Sequence, residues 1–276
     1  MLGHELMLNA LLAGTAVGAA CGLAGYLLVL RAEVFAGDAL GHVAFTGALA
    51  AAAIGIDARI GLFAATVLVA AGMAGLGERA GTDDVTIGTV FAWVLGLGVL
   101  CLAIFTTQRS AGNGAAAVRV LFGSIFGLTR NDVWLAIGVG AFAAALLLAL
   151  ARPLLFASLD PDVAAAHGVP VRIVGIAFLT VLGAIAAETT QAVGALLLLG
   201  LLAAPAAAAH LLAHDPYRGL ALSTGFAVLA VWAGLTLAYL EPQLPPSTAI
   251  ISVATALYAG VAAFDASSRL RRSQPA

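Results

Sequence analysis

Nine apolar segments separated by short polar stretches constrain the fold of this chain more than any other feature. The segments lie at 8–30, 39–56, 60–77, 86–107, 132–151, 172–187, 190–212, 218–240 and 246–264. A helix needs about 20 apolar residues to cross a bilayer, and several segments approach that length. Only 9% of the residues are charged, which is too few to cover a soluble fold of this apolarity. The sequence therefore predicts an all-α fold, a polytopic transmembrane bundle of eight or nine helices that lies in a lipid bilayer. We expect residues 1–276 to form a single domain with a C-terminal tail at 266–276.

Some apolar stretches are too short for an ordinary span. The segments 39–56, 60–77 and 172–187 leave open whether one or more of them is broken or re-entrant. The stretch LFGSIFGL at 121–128 is apolar but shorter still, so we expect a re-entrant or interfacial segment there. Its alternative is a frayed start of the next helix. Asp83 or Asp84 is expected to cap the helix that follows.

The distribution of arginine predicts the orientation. If the C-terminus is cytoplasmic, nine alternating spans place the N-terminus outside. One side then holds Arg31, Arg79, Arg152, Arg172, Arg218, Arg269, Arg271 and Arg272, and the other holds Arg59, Arg109, Arg119 and Arg130. Cytoplasmic loops are enriched in basic residues, so this excess of eight over four favours a cytoplasmic C-terminus.

The stretch RAEVFAGDALGHVAFTG at 31–47 carries charged and titratable residues between two apolar runs. Asp38 and His42 are four residues apart, so on a helix they lie on one face about one turn apart. A carboxylate and an imidazole in that arrangement can bind one transition-metal ion. We therefore predict a metal transit site at Asp38 and His42. The alternative is that Asp38 caps a helix beginning at Ala39 while His42 forms a local hydrogen bond.

A short capped helix is predicted at about 160–168, between two apolar segments. Asp160 suits an N-cap, Pro161 the first helical position, and Asp162 the positive end of the helix dipole. The helix would run from Val163 to His167 and end at Gly168. A helix of about two turns is unstable alone, so it must dock on something. It either rests on its own membrane domain or binds a partner.

Glu188 and Gln191 are polar residues within the apolar region at 188–209. We expect both at the outer end of one helix, with Pro205 kinking that same helix further along. Glu188 then belongs either to an outer vestibule, together with Gln191, or to a solvated helix end.

Several function classes are disfavoured by what the sequence lacks. All twelve basic residues are arginine, so a phosphate-binding loop ending in GK[ST] cannot form and ATP would have to be hydrolysed by another chain. A net charge of −2 argues against nucleic-acid binding. Cys21 and Cys101 match no metal or disulfide pattern.

Two other function classes are open to a membrane protein of this kind. A membrane-embedded enzyme would need a further acid–base residue to support Asp38 and His42, and the sequence shows none. A secondary transporter or channel for divalent cations remains the alternative function.

Six segments in order give the chain a resemblance to a known family. They are FAGDALGHVAFTGA (35–48), DDVTIGTVFAWVLGLGV (83–99), VLFGSIFGLT (120–129), DPDVAAAHGVPVR (160–172), VGALLLLGLLAAPAAAA (193–209) and PPSTAIISVATALY (245–258). The chain resembles the membrane permease of bacterial ATP-binding-cassette importers for zinc, manganese or iron(II), over nearly its whole length.

The resemblance implies a multi-pass protein of the bacterial cytoplasmic membrane that is not itself an enzyme and holds no covalent cofactor. Two permease copies would pair around a path lined by Asp38 and His42. A cytoplasmic ATP-binding subunit would dock on the 160–168 helix, through Asp160, Asp162, Val163, His167 and Gly168. An extracytoplasmic metal-binding protein would deliver the divalent ion. The sequence chooses neither among zinc, manganese and iron nor between import and another direction, and Glu188 departs from the family pattern.

Overall fold

The computed structural model describes residues 5–76, 84–108, 123, 125–195, 198–241 and 243–272. In these residues the chain forms eleven α-helices and no strand. The helices are α1 (Glu5–Leu30), α2 (Val34–Ala53), α3 (Ala58–Leu76), α4 (Asp84–Gln108), α5 (Arg130–Ala149), α6 (Ala151–Leu159), α7 (Pro161–Ala166), α8 (Val171–Ala192), α9 (Leu198–Leu212), α10 (Pro216–Leu240) and α11 (Pro246–Arg272). The side chains of Asp83 and Asp84, and hence the predicted cap of α4, lie outside the described part.

The predicted class is confirmed. Eight of the described helices are long and apolar enough to cross a membrane, and α9 is a shorter apolar helix of 15 residues. The predicted continuous helix through Glu188 and Pro205 is wrong, because α8 ends at Ala192 and α9 begins at Leu198. Gly194 has a φ of +107°, a conformation that residues with a Cβ rarely adopt, and it breaks the helix there.

The two ends of the bundle can be told apart by contacts between distant helices. At one end, Arg172 donates a hydrogen bond to the carbonyl of Gly75, which joins the start of α8 to the end of α3. At the other end, Arg59 at the start of α3 contacts Gln191 near the end of α8. Since α7 immediately precedes α8, we call the first end the α7 end and the second the opposite end. The predicted grouping of arginines agrees with these contacts, because Arg172 and Arg59 lie at different ends.

Glycine allows the closest helix crossings in the bundle. Gly47 of α2 faces Gly61 of α3, and a Cβ on either residue would collide with the backbone of the other. A Cβ on Gly22 of α1 would likewise meet the backbone of Thr224 in α10. Small residues that let backbones approach are the usual means of helix association in lipid.

A 3-10 turn at Ile125–Gly127 enters the bundle before α5 begins. Ile125 is buried and lies against Gly14, well along α1. Gly123, with a φ of +71°, lies against Val193 at the break between α8 and α9. The alternative of a frayed start of α5 is wrong, because Thr129 closes the N-terminus of α5 with a capping box. The described residues of this stretch therefore favour the re-entrant arrangement.

The crossing of α2 and α3 leads to a stability prediction. We expect Gly61→Ala to lower the thermal stability of the purified protein, because the added methyl group must push α2 away, a change that costs about 1–3 kcal/mol when a core is overpacked. Gly72→Ala is the matched control on the same helix, since a Cβ there meets nothing within 4 Å. The measurement is the melting temperature in detergent. Equal melting temperatures for both variants would contradict the close approach of α2 and α3 at Gly61.

Candidate functional site

Asp38 and His42 lie inside α2, on successive turns of the helix. The alternative in which Asp38 caps a helix starting at Ala39 is wrong, because α2 begins at Val34 and Glu33 occupies its N-cap position. Both side chains are half-buried. The sequence-based prediction of a shared face is met, since residues four apart in a continuous helix project to the same side.

A cavity opens beside Asp38, between α2 and α4. It measures about 260 Å³ and is lined by Phe35 and Asp38 of α2 and by Ile87, Gly88 and Phe91 of α4. His42 lies one turn further along α2, and its ring meets Phe91 edge to face at a centroid distance of 5.1 Å. The cavity is therefore apolar except for the acidic group that points into it and the imidazole near its edge.

The polar atoms of this pair are not engaged by the described residues, although the His42 ring packs against Phe91. Within the described residues, the structure shows no side-chain hydrogen bond or ion pair for Asp38 or His42. The described part of the chain also contains no cluster of three or more His, Cys, Asp or Glu residues able to hold a metal ion. One chain thus offers two ligands, an oxygen and a nitrogen, fewer than the four that a tetrahedral site requires.

A buried ion pair fixes the turn that starts α2. Arg31 donates from Nε and Nη2 to the two carboxylate oxygens of Glu33, both at 3.0 Å, and the two side chains are 6% and 5% exposed. The guanidinium also lies 5.4 Å from the ring centroid of Phe178 on α8. Sequence reasoning used Arg31 only for the orientation and gave Glu33 no role. The pair lies at the start of α2, about one turn before Asp38.

Glu188 and Gln191 lie in a different part of the bundle. Gln191 accepts a hydrogen bond from Arg59 Nε at 3.0 Å, and Arg59 also forms an ion pair with Asp132 at the start of α5. Glu188 is only 3% exposed, so its interpretation as a solvated helix end is wrong. Neither Glu188 nor Gln191 is among the described residues that line the cavity at Asp38. The vestibule role stays a prediction.

Sequence reasoning missed Arg59 and Asp132 as partners of this network. Arg59 was noted only as one of the arginines that set the orientation, and Asp132 was not singled out. A local signal existed for Asp132, because Thr129 three residues earlier forms the capping-box pattern with it. The contact between Arg59 and Gln191 joins residues 132 positions apart and leaves no local signature.

The short helix predicted at 160–168 is present as α7. Asp160 caps it by accepting a hydrogen bond from the amide of Val163 at 3.0 Å, and Pro161 occupies its first position. Gly168, with a φ of +84°, ends it. The observed helix stops at Ala166, slightly before the predicted His167, which is the C-cap residue.

The two faces of α7 have different surroundings. Ala164 is fully buried against the membrane domain, so the helix does rest on its own protein. His167 contacts the helix itself and the helix before it. Its Nδ1 lies 2.9 Å from the Val163 carbonyl oxygen, and its ring centroid lies 5.7 Å from that of Phe156 on α6. Asp162 and Val163 are exposed and stay available to a partner.

Comparisons with known proteins agree with this architecture. Residues 3–265 match the family model described as the ABC 3 transport family. The chain is 29% identical to the manganese transport system membrane protein MntC of Halalkalibacterium halodurans, over 94% of this chain and 87% of that protein. It is 30% identical to the manganese import system permease protein ScaB of Streptococcus parasanguinis, over 84% and 81%. The solved structure of PsaBC from Streptococcus pneumoniae in complex with Fab superimposes with a TM-score of 0.80 at 26% identity, covering 94% of this chain and 91% of that one.

The family match spans almost the whole chain, and the helices, the α7 element and the predicted resemblance all agree with it. The chain therefore belongs to the ABC 3 transport family, as a multi-pass permease subunit of the bacterial inner membrane.

Proposed function

We propose that this permease carries a divalent transition-metal ion, with manganese favoured, and that Asp38 and His42 bind the ion in transit. The observation that carries the proposal is the half-buried pair beside an open cavity, with no hydrogen-bond or ion-pair partner among the described residues. Asp38 lies in the second turn of a spanning helix, and an unpaired carboxylate within a span is unfavourable, so it needs a wet path or a cation. Manganese is favoured because two similar proteins are named for manganese transport.

The ligand chemistry suits a site that an ion passes through. If a second copy contributes the same pair, the site has two carboxylates and two imidazoles. This set accepts Mn²⁺, Fe²⁺ and Zn²⁺, and its nitrogen atoms favour these ions over Ca²⁺ and Mg²⁺. Neither Cys21 nor Cys101 is among the cavity-lining residues, so no thiolate adds to the affinity. Moderate affinity allows the ion to leave as well as enter.

The second copy is proposed to face the open side of the cavity. Phe35 at the rim of the cavity is 68% exposed. Burial of this side chain against an identical surface would help to enclose the ion path. On this proposal, residues 1–276 act as one permease domain and the two copies share one transit site.

The remaining partners are assigned by the two ends of the bundle. A separate cytoplasmic ATP-binding subunit is proposed to contact the exposed Asp162 and Val163 of α7. Asp160 and Gly168 shape that helix, and His167 braces it against Phe156. An extracytoplasmic metal-binding protein is proposed to deliver the ion at the opposite end, which makes the direction of transport inward.

The transit site gives a direct prediction for uptake. We expect Asp38→Asn and His42→Ala each to reduce manganese uptake by at least about 10–100-fold, since even the outer-shell partners of metal ligands contribute that much. Asp215→Asn and His214→Ala are the matched controls, because they make the same chemical changes at exposed positions near the end of α9 and the start of α10. The measurement is uptake of radioactive manganese, with zinc and iron(II) as competitors.

The proposal for the transit site fails if either variant is folded, assembled and transports at the wild-type rate. Competition by zinc or iron(II) that exceeds competition by unlabelled manganese would reassign the cargo and leave the site in place.

The exposed face of α7 gives a second prediction. We expect Val163→Ser to lower uptake per ATP hydrolysed, because the contact that transmits movement from the ATPase would lose its apolar side chain. Ile54→Ser is the control, since it removes an exposed apolar side chain at the opposite end, where Ile54 is 73% exposed against 42% for Val163. Uptake and ATP hydrolysis are measured together on the purified complex in liposomes. An unchanged ratio for Val163→Ser would count against α7 as the coupling element.

A further inference from the structure

Three helices are tied together at the opposite end of the bundle by one arginine. Arg59 in the first turn of α3 donates to Gln191 on α8 and to Asp132 on α5. Its side chain is 27% exposed, and that of Asp132 is 19% exposed. The guanidinium has five N–H donors, so two contacts leave others unused.

Glu188 lies three residues before Gln191, on the same face of α8. It is 3% exposed, and its Oε2 atom is buried without a hydrogen-bond partner within the described part of the chain. Both Arg59 and Asp132 are close enough to act on it electrostatically. A buried carboxyl group without a partner is unfavourable whether it is protonated or ionised. In this conformation, the described residues therefore leave the Glu188 carboxyl group without a hydrogen bond.

Asp132 differs from Glu188 because it has partners besides Arg59. Its Oδ2 atom accepts a hydrogen bond from the backbone amide of Thr129 at 2.8 Å, and its carboxylate lies in the first turn of α5, where the helix dipole favours negative charge. If Arg59 moved away, Asp132 would keep these interactions. Glu188 has no such substitute. When the guanidinium moves, Asp132 loses its ion pair with Arg59 but keeps these local interactions, and Glu188 gains a partner.

We infer that Glu188 is a second docking position for Arg59, and that the guanidinium moves along α8 from Gln191 to Glu188 during the transport cycle. Three residues of helix correspond to about 4.5 Å, which an arginine side chain can span. The move exchanges an amide oxygen for a carboxylate and releases α5 from α3. Glu188 is a positioning residue here and does not touch the transported ion. The inference rests on the proposed function, because an alternating transport cycle supplies the second conformation.

The central test separates stability from transport. Glu188→Gln removes a carboxylate that is unpaired in the resting conformation, so the melting temperature should be unchanged or raised. The same variant removes the second docking position, so the maximal rate of manganese uptake should fall by about tenfold, equivalent to about 1.4 kcal/mol, at an unchanged KM. Glu188→Asp, which keeps the charge, should restore part of the rate.

Two further variants sharpen the test. Gln191→Glu strengthens the resting contact of Arg59, so it should raise the melting temperature and slow uptake. Thr190→Val is the matched control, because the Thr190 hydroxyl is a second buried group without a partner on the same helix, and its loss should leave uptake unchanged. All variants are measured in the assembled transporter, in detergent for melting and in liposomes for uptake.

A wild-type uptake rate for Glu188→Gln would overturn the inference. A lower melting temperature for that variant would also overturn it, since Glu188 would then be paired in the resting state. Asp38→Ala, measured in parallel, separates this inference from the proposed function. If Asp38→Ala abolishes uptake and Glu188→Gln does not affect it, only the role of Glu188 fails. If Asp38→Ala transports normally, the proposal that Asp38 binds the ion in transit is contradicted, whatever the result for Glu188→Gln.

Discussion

Pairing of charges inside an apolar bundle is the constraint on which the rest of this structure depends. Arg31 is held by Glu33, and Arg59 by Asp132, each across a turn or between helices. Such pairs offset the large penalty of removing a charge from water. Against them stand Asp38 and Glu188, titratable groups within spans for which the described residues supply no hydrogen bond. The paired charges hold helices and turns together, and the two acids without a hydrogen bond are the positions for which we proposed further partners. The proposed partner of Asp38 is a cation, and the proposed partner of Glu188 is the guanidinium of Arg59.

The packing of α2 explains why only one of its faces is open. Gly47 brings it against α3, Gly41 brings it against the carbonyl of Ala195, and Ala44 packs in a cluster with Ala187 of α8. A Cβ at Gly41 or Gly47 would meet backbone, so α2 is packed closely along this part of its surface. The cavity lies on the side of α2 that faces α4, between Phe35 and Gly88. Asp38 lines this cavity and His42 contacts Phe91 beside it, so the proposed ligands stand on a well-packed helix next to open space.

Sequence patterns predicted the features that depend on apolar length and on residues close together in the chain. The number of spans follows from apolar length, α7 follows from Asp160, Pro161 and Gly168, and the shared face of Asp38 and His42 follows from their spacing of four. The predicted apolar segment began at residue 39, whereas α2 begins at Val34, directly after the buried ion pair of Arg31 and Glu33. The break after Ala192 was missed because the apolar run continues past Gly194, whose positive φ ends the helix. The approach of Gly123 to Val193 at this break is a tertiary contact that the sequence does not show.

The helix α8 connects the elements that the sequence presented as separate motifs. It begins directly after α7, where Arg172 holds it to the end of α3, and it ends beside Arg59. With 22 residues it is a rod of about 33 Å, long enough to link the two faces of a membrane. Ala187 packs it against α2, the helix that carries the proposed transit ligands. A displacement of α7 would therefore be transmitted by α8, as one rigid helix, to α2 and to the contacts of Arg59. Because packed helices shift between discrete arrangements instead of deforming smoothly, a displacement of α8 would change the partner of Arg59 and the surroundings of Asp38 in the same step.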